Sequence, residues 1–174
     1  MSLKLTKERL NSLYEKLCFK EFEKSKFYTG IVIINKKKDS VLLGKRKEDG
    51  IWTSPGGHPE DNEAPEETAL RELEEEANIK IDKKFLNKLD IQKASDGVPV
   101  YVYYVVLNEK NHNISPKNDP DDEVPKWQWF KFDNLPKGVT KDKERFISIL
   151  NAIVKTLSYE ERLSSLHEKL YLKN

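Results

Sequence analysis

The chain has 174 residues, with 31 Lys and Arg set against 30 Asp and Glu for a formal net charge of +1. That length fits one well-formed domain, and the balanced charge gives no general pull towards nucleic acid or an anionic membrane. A single cysteine, Cys18, excludes an internal disulfide and a thiolate metal cage.

Met1 to Lys7 lack the apolar stretch of a signal peptide. Thr6 is placed to cap a first helix over about 6–22, with Leu10, Leu13, Tyr14, Leu17 and Phe22 on one apolar stripe. Tyr28 to Ile34 is β-rich, and Val41-Leu42-Leu43 is a second short apolar run. The intervening Asn35 to Ser40 has the composition of a hairpin loop, so its lysines read as a solvated turn. Asp49-Gly50 and Pro55-Gly56-Gly57 punctuate the chain before a helix predicted from Pro65 to Ala77, where proline suits the first turn. Leu89 to Ile91 predicts a short strand and Val98 to Leu107 a strong one, which holds Pro99 and is too short to span a bilayer. A polar loop leads to a strand over Lys126 to Phe132. Two helices follow, over about 141–157 and 159–170. Strands on both sides of a mid-chain helix point to a single α+β domain, and the expected compartment is the cytoplasm, with no membrane partner.

The informative stretch is the helix after Gly57. At about 100° per residue, Glu72, Glu75 and Glu76 share one narrow sector, bordered by Arg71, while Ala69, Leu70, Leu73 and Ala77 form an apolar stripe elsewhere. Like charges at i, i+3 and i+4 repel and destabilise a helix. A hard cation such as Mg²⁺ relieves that repulsion and binds substrate phosphates beside one or two carboxylates. The plain alternative is a solvated acidic face. Gly56-Gly57 lets the backbone approach a metal or phosphate closely.

The spacing of Gly57, Glu63, Arg71-Glu72-Leu73, Glu75-Glu76 and Asn78-Ile79 resembles the signature of the Nudix hydrolases, with Asn78 standing where the family usually has glycine. That glycine ends the helix in a left-handed conformation, which Asn tolerates next best. Leu42 to Arg46, Trp52, Pro55-Gly56-Gly57, Glu123, Trp127 to Phe130 and Leu135-Pro136 extend the resemblance to about residues 28–137.

The resemblance implies one Nudix domain over 1–174, an α/β/α sandwich around a mixed β-sheet with extra N- and C-terminal helices that cap the fold or form a homodimer interface. It implies Mg²⁺, with Mn²⁺ as a substitute, held by Glu72, Glu75, Glu76 and the Gly57 carbonyl. Arg71 would orient the glutamates by ion pairing, Glu63 included. Glu72 is the first candidate for general base; Glu123 is the second, or instead a metal ligand. Arg46 would contact phosphate, or is a surface arginine. His58 would touch substrate, or is an exposed residue with no role. Trp127 and Trp129 alternate onto one face, to build the core or to stack a base. His112 and His167 read as solvated. The proline–glycine–glycine–histidine run and the acidic loop before Trp127 resemble the subgroup that cleaves nucleoside triphosphates to monophosphate and pyrophosphate. ADP-ribose, nucleotide sugars and dinucleoside polyphosphates remain alternatives, and an RNA end lacks a basic track. Two rivals share the fold. Isopentenyl diphosphate isomerase is one, but Pro55-Gly56-Gly57 fills the neighbourhood of its catalytic cysteine. A non-catalytic nucleotide-binding module is the other, and such modules commonly lose the glutamates kept here.

Overall fold

The computed structural model describes residues 26–60, 62–108, 123–140 and 142–171, without the side chains of residues 90 and 164–171. The helix expected over 6–22, Cys18 and His112 lie outside the described residues. Six strands form one mixed sheet: β1 (Tyr28–Asn35), β2 (Ser40–Lys45), β3 (Trp52–Thr53), β4 (Asn87–Lys93), β5 (Pro99–Leu107) and β6 (Lys126–Lys131). Helix α1 spans Pro65–Ala77 and α2 spans Lys143–Tyr171.

β1 runs parallel to β5 along its whole length, from Tyr28 opposite Val100 to Asn35 opposite Leu107. β2 turns back antiparallel to β1 through a hairpin whose Asn35 side chain accepts the Asp39 and Ser40 N–H groups at 3.0 Å each. Leu42 pairs with both Ile33 and Trp129, and Gly44 with both Thr53 and Trp127. β1 and β3 therefore share one edge of β2, and β6 takes the other. Beyond β3 the chain runs beside β1: the Ile31 N–H donates to Pro55 O and the Thr29 N–H to Gly57 O, both at 2.9 Å. This pairing fixes the glycine turn against the sheet.

Strand alternation sends side chains to two opposite faces. Ile31, Ile33, Leu42, Tyr103 and Val105 pack against Ala69, Leu73 and Ala77 of α1. Val32, Ile34, Val41, Leu43 and Tyr104 pack against Phe146, Leu150, Ile153 and Leu157 of α2. Helix, sheet and helix thus make the expected α+β sandwich. Leu73 is fully buried, and Leu73→Ala is expected to lower the free energy of unfolding by about 2–5 kcal/mol, read from urea denaturation.

Two expectations need correction. Leu70 is only half-buried, so the apolar stripe of α1 is carried by Pro65, Ala69, Leu73 and Ala77 together with buried Thr68. The two C-terminal helices are one. No glycine or proline interrupts 157–159, and the Ser158 hydroxyl donates to Val154 O at 2.8 Å, satisfied within the helix instead of breaking it. β3 and the 3₁₀ turn at Lys83–Phe85 were not expected.

Candidate active site

α1 begins without a side-chain acceptor at its cap, because the residue there is Ala64. Glu67 reaches back instead and accepts the Ala64 N–H at 2.9 Å. The helix ends on Asn78 at φ 54° and ψ 36°, with Asn78 N–H donating to Glu74 O and Ile79 N–H to Leu73 O. Asn78 thus adopts the left-handed conformation for which glycine is the commonest choice.

Arg71 organises the acidic sector. Its Nε and Nη2 grip the two Glu63 oxygens at 2.9 and 3.2 Å, Nη1 donates to Glu75 at 2.7 Å, and Nη2 lies 3.0 Å from Glu72 Oε1. Nη2 also donates to the His58 carbonyl at 2.8 Å, which ties the glycine loop to the helix. Burial opposes the Arg71 charge, but hydrogen bonds to Glu63 and Glu75 outweigh it and raise its pKa. Burial likewise opposes ionisation of Glu63, yet the Arg71 and Glu60 hydrogen bonds hold its pKa below the usual carboxylate range.

Glu72 differs. Burial dominates, opposed by Arg71, and its pKa stands above the ordinary value. Its carboxylate lies against Gly57, where an added Cβ would fall 2.3 Å from Glu72 Oε1. A side chain at this position would push the Glu72 carboxylate from its place. Glu76 accepts the Gly56 N–H at 3.0 Å, and its backbone carbonyl accepts Trp127 Nε1–H at 2.9 Å. A Cβ at Gly44 would collide with Val124 and the Trp127 ring, so that strand glycine admits the indole.

A cavity of about 600 Å³ is lined by Arg46, Gly57, His58, Arg71, Glu72, Glu75, Glu76 and Glu123, together with Thr53, Ser54, Gly56, Pro59 and Glu60. Arg46, Gly57, His58, Arg71, Glu72, Glu75, Glu76 and Glu123, eight of the residues singled out in the sequence, therefore meet in one place. Trp127 and Trp129 do not line this cavity and pack, half-buried, on the α1-side core. Arg46 sits at the end of β2 and pairs with Glu48 at 2.8 Å. Exposed His58 lies edge-on to the Tyr28 ring at 4.6 Å, and the Tyr28 hydroxyl donates to Asp96 at 2.7 Å. Tyr28, Asp96, Thr53 and Ser54 were missed as site neighbours. Only the adjacency of Thr53-Ser54 to Pro55-Gly56-Gly57 was a signal.

Among the described residues, no group of three or more aspartate, glutamate, histidine or cysteine side chains is already arranged to hold a metal ion. The donor set nevertheless fits a hard divalent cation in an open site. It offers several carboxylates on one cavity wall, one of them disfavoured as an anion by burial, and Mg²⁺ needs only one or two beside water and phosphate. The Gly57 carbonyl already accepts the Thr29 N–H, and its second lone pair remains for another partner.

The NUDIX domain family model matches residues 25–149, and the chain belongs to the Nudix family. Over 63 residues it is 38% identical to an 8-oxo-dGTP diphosphatase of Proteus vulgaris, covering 34% of this chain and 56% of that protein. Over 122 residues it is 30% identical to an RNA pyrophosphohydrolase of Haemophilus influenzae (strain PittEE), covering 59% of this chain and 60% of that protein. The chain spans between 18% and 60% of the length of the curated relatives it matches. In fold it resembles a C. elegans Ap4A hydrolase, with a TM-score of 0.60 at 24% identity over 75% of this chain and 98% of that one. Nudix hydrolases generally use a divalent metal. No described helix is long and apolar enough to cross a membrane.

Proposed function

We propose that this chain is a Mg²⁺-dependent pyrophosphohydrolase that cuts a (deoxy)nucleoside triphosphate into monophosphate and pyrophosphate. The observation that carries the reading is the single cavity uniting Glu72, Glu75, Glu76 and Glu123 with Arg46 and His58. Carboxylates alone would repel a polyphosphate; together with a cation and the basic side chains they make a phosphate site. Relatives described as an 8-oxo-dGTP diphosphatase and an RNA pyrophosphohydrolase support the class of bond. The preference for a free triphosphate rests on the Pro55 to His58 run.

In this reading Glu72, Glu75, Glu76 and the Gly57 carbonyl hold the metal. When bound, Mg²⁺ neutralises charge on phosphate oxygens and lowers the pKa of water beside it. Arg46 and His58 bind the phosphate chain. Arg71 keeps Glu72 and Glu75 aligned, acting through them. Glu72 takes a proton as water oxygen bonds to phosphorus, the phosphoanhydride P–O bond breaks, and pyrophosphate leaves with the bonding electrons. Burial raises the basicity of Glu72, in the direction that favours a general base. Glu123, exposed at the rim, is the second candidate for that role.

The test is release of phosphate and pyrophosphate across nucleoside triphosphates, ADP-ribose, nucleotide sugars and dinucleoside polyphosphates with Mg²⁺ or Mn²⁺. Pyrophosphate from triphosphates supports the proposal. Turnover confined to another of these substrates overturns the substrate assignment, and turnover of none overturns the activity.

A further inference from the structure

Tyr28, His58 and Asp96, far apart in the chain, meet at one edge of the proposed phosphate site. His58 lines the cavity; Tyr28 and Asp96 do not. β1 opens at Tyr28, opposite Val100 near the start of β5, which brings its side chain to the turn joining β4 to β5. That turn is tightly closed. The Ala94 N–H donates to Val98 O at 2.9 Å and the Gly97 N–H to Ala94 O at 3.0 Å, with Gly97 at φ 84° supplying the left-handed step. Asp96 is engaged at both oxygens: one accepts the Val98 N–H at 3.0 Å, the other the Tyr28 hydroxyl at 2.7 Å. At the base of the hairpin, Arg145 Nη1 donates to Lys93 O at 2.8 Å.

The backbone around His58 is equally constrained. Gly57 O accepts the Thr29 N–H at 2.9 Å, and the His58 carbonyl accepts Arg71 Nη2–H at 2.8 Å. The His58 imidazole is different. It is exposed and turns on two side-chain bonds, so fixing its direction costs rotamer entropy. The Tyr28 ring meets it edge-on, with centroids 4.6 Å apart and planes at 86°, a geometry that aromatic pairs prefer. This contact acts on the part of the loop that the backbone bonds leave free. The Tyr28 ring is in turn fixed through its hydroxyl, since a bond from hydroxyl to carboxylate is stronger than a neutral one.

We propose that Tyr28, held by Asp96, is a positioning residue that keeps the His58 imidazole turned into the phosphate cavity, so that the tip of the β4–β5 hairpin supports the active site. The inference rests on the reading of His58 as a phosphate contact. A side chain already oriented before the ligand arrives loses less freedom on binding, and affinity rises accordingly.

The test is calorimetric titration of the full chain with inorganic pyrophosphate in Mg²⁺, arranged as a double-mutant cycle. The wild type binds pyrophosphate and His58→Ala weakens it. Tyr28→Leu is expected to weaken it by about three- to tenfold, and to add no further loss to His58→Ala. Asp96→Ala should show the same dependence on His58, and this exposed turn residue decides alone if Tyr28→Leu does not fold. Asp96→Asn should recover the affinity, because its carboxamide can accept the Val98 N–H and donate to the Tyr28 hydroxyl oxygen. A wild type that binds no pyrophosphate, undiminished binding by the deciding variant, or an equal loss with and without His58 overturns the proposal. Nucleotide hydrolysis by a wild type that lacks this coupling contradicts the inference alone. Coupling in a protein that hydrolyses no nucleotide contradicts the hydrolase reading alone.

Discussion

Glu72→Gln is expected to lower kcat by about 10²–10⁴-fold with little change in substrate affinity, the usual cost of losing a general base. Glu123→Gln should be milder. The two residues start from different positions: Glu72 is fixed on α1 between Arg71 and Gly57, whereas Glu123 is exposed at the cavity rim. Single-turnover rates at saturating Mg²⁺ separate them, and the reverse ranking would move the role to Glu123. The same variant has a stability signature in metal-free protein. The folded-state pKa of Glu72 is raised above 4.5, mainly by burial, so folding favours its protonated form. Its contribution to stability therefore falls as pH rises from about that value. Glu72→Gln should raise the metal-free Tm at pH 7 and leave it nearly unchanged below pH 4.5. A lower Tm at pH 7 would mean that the Arg71 pairing outweighs desolvation.

Arg71→Met should be the most damaging change in the acidic sector. Arg71 gathers Glu63, Glu72 and Glu75, and also holds the His58 carbonyl. Methionine keeps much of the apolar stem but leaves three partly buried carboxylates without their cation. Removing one partner of a buried pair costs about 3–5 kcal/mol, and partial exposure here places the expected loss near the lower end. Urea denaturation in EDTA reads it directly. Mg²⁺ should restore part of the stability, because a bound divalent cation replaces some of the lost positive charge. A loss below about 1 kcal/mol would class these pairs with ordinary surface salt bridges.

The parts of the fold legible in the sequence were those written in local patterns. Pro65 at the first turn, the Ala69, Leu73 and Ala77 spacing and Asn78 at the end delimit α1, and the structure places it at Pro65–Ala77. β1, β2, β5 and β6 follow from β-rich runs between turn residues. β3 was not legible, because two residues carry no period and are strand only through pairing with Gly44 and Lys45. The break expected near Ser158 is absent, and the Ser158 hydroxyl bonds within the continuous helix. In the site, the Arg71, Glu72, Glu75 and Glu76 sector followed from helical geometry, and Gly57, His58 and Arg46 from the family resemblance. Trp129 was read from alternation, which gives the face of a residue but not whether that face is core or cavity. A smaller cavity of about 290 Å³ on the α2 side of the sheet joins β1, β5, the Ser54 turn and the start of α2. Such long-range meetings leave no local pattern.

The most direct measurement is pyrophosphate release from a nucleoside triphosphate by the wild type and by Glu76→Gln, in Mg²⁺ and again after EDTA. Glu76→Gln retains side-chain volume and an acceptor for the Gly56 N–H, which Glu76 binds at 3.0 Å, but removes one anionic ligand. The account predicts pyrophosphate from the wild type, its loss in EDTA and recovery on Mg²⁺ addition, and strongly reduced release by a folded Glu76→Gln. Wild-type release that persists in EDTA, or equal release by Glu76→Gln, would contradict it.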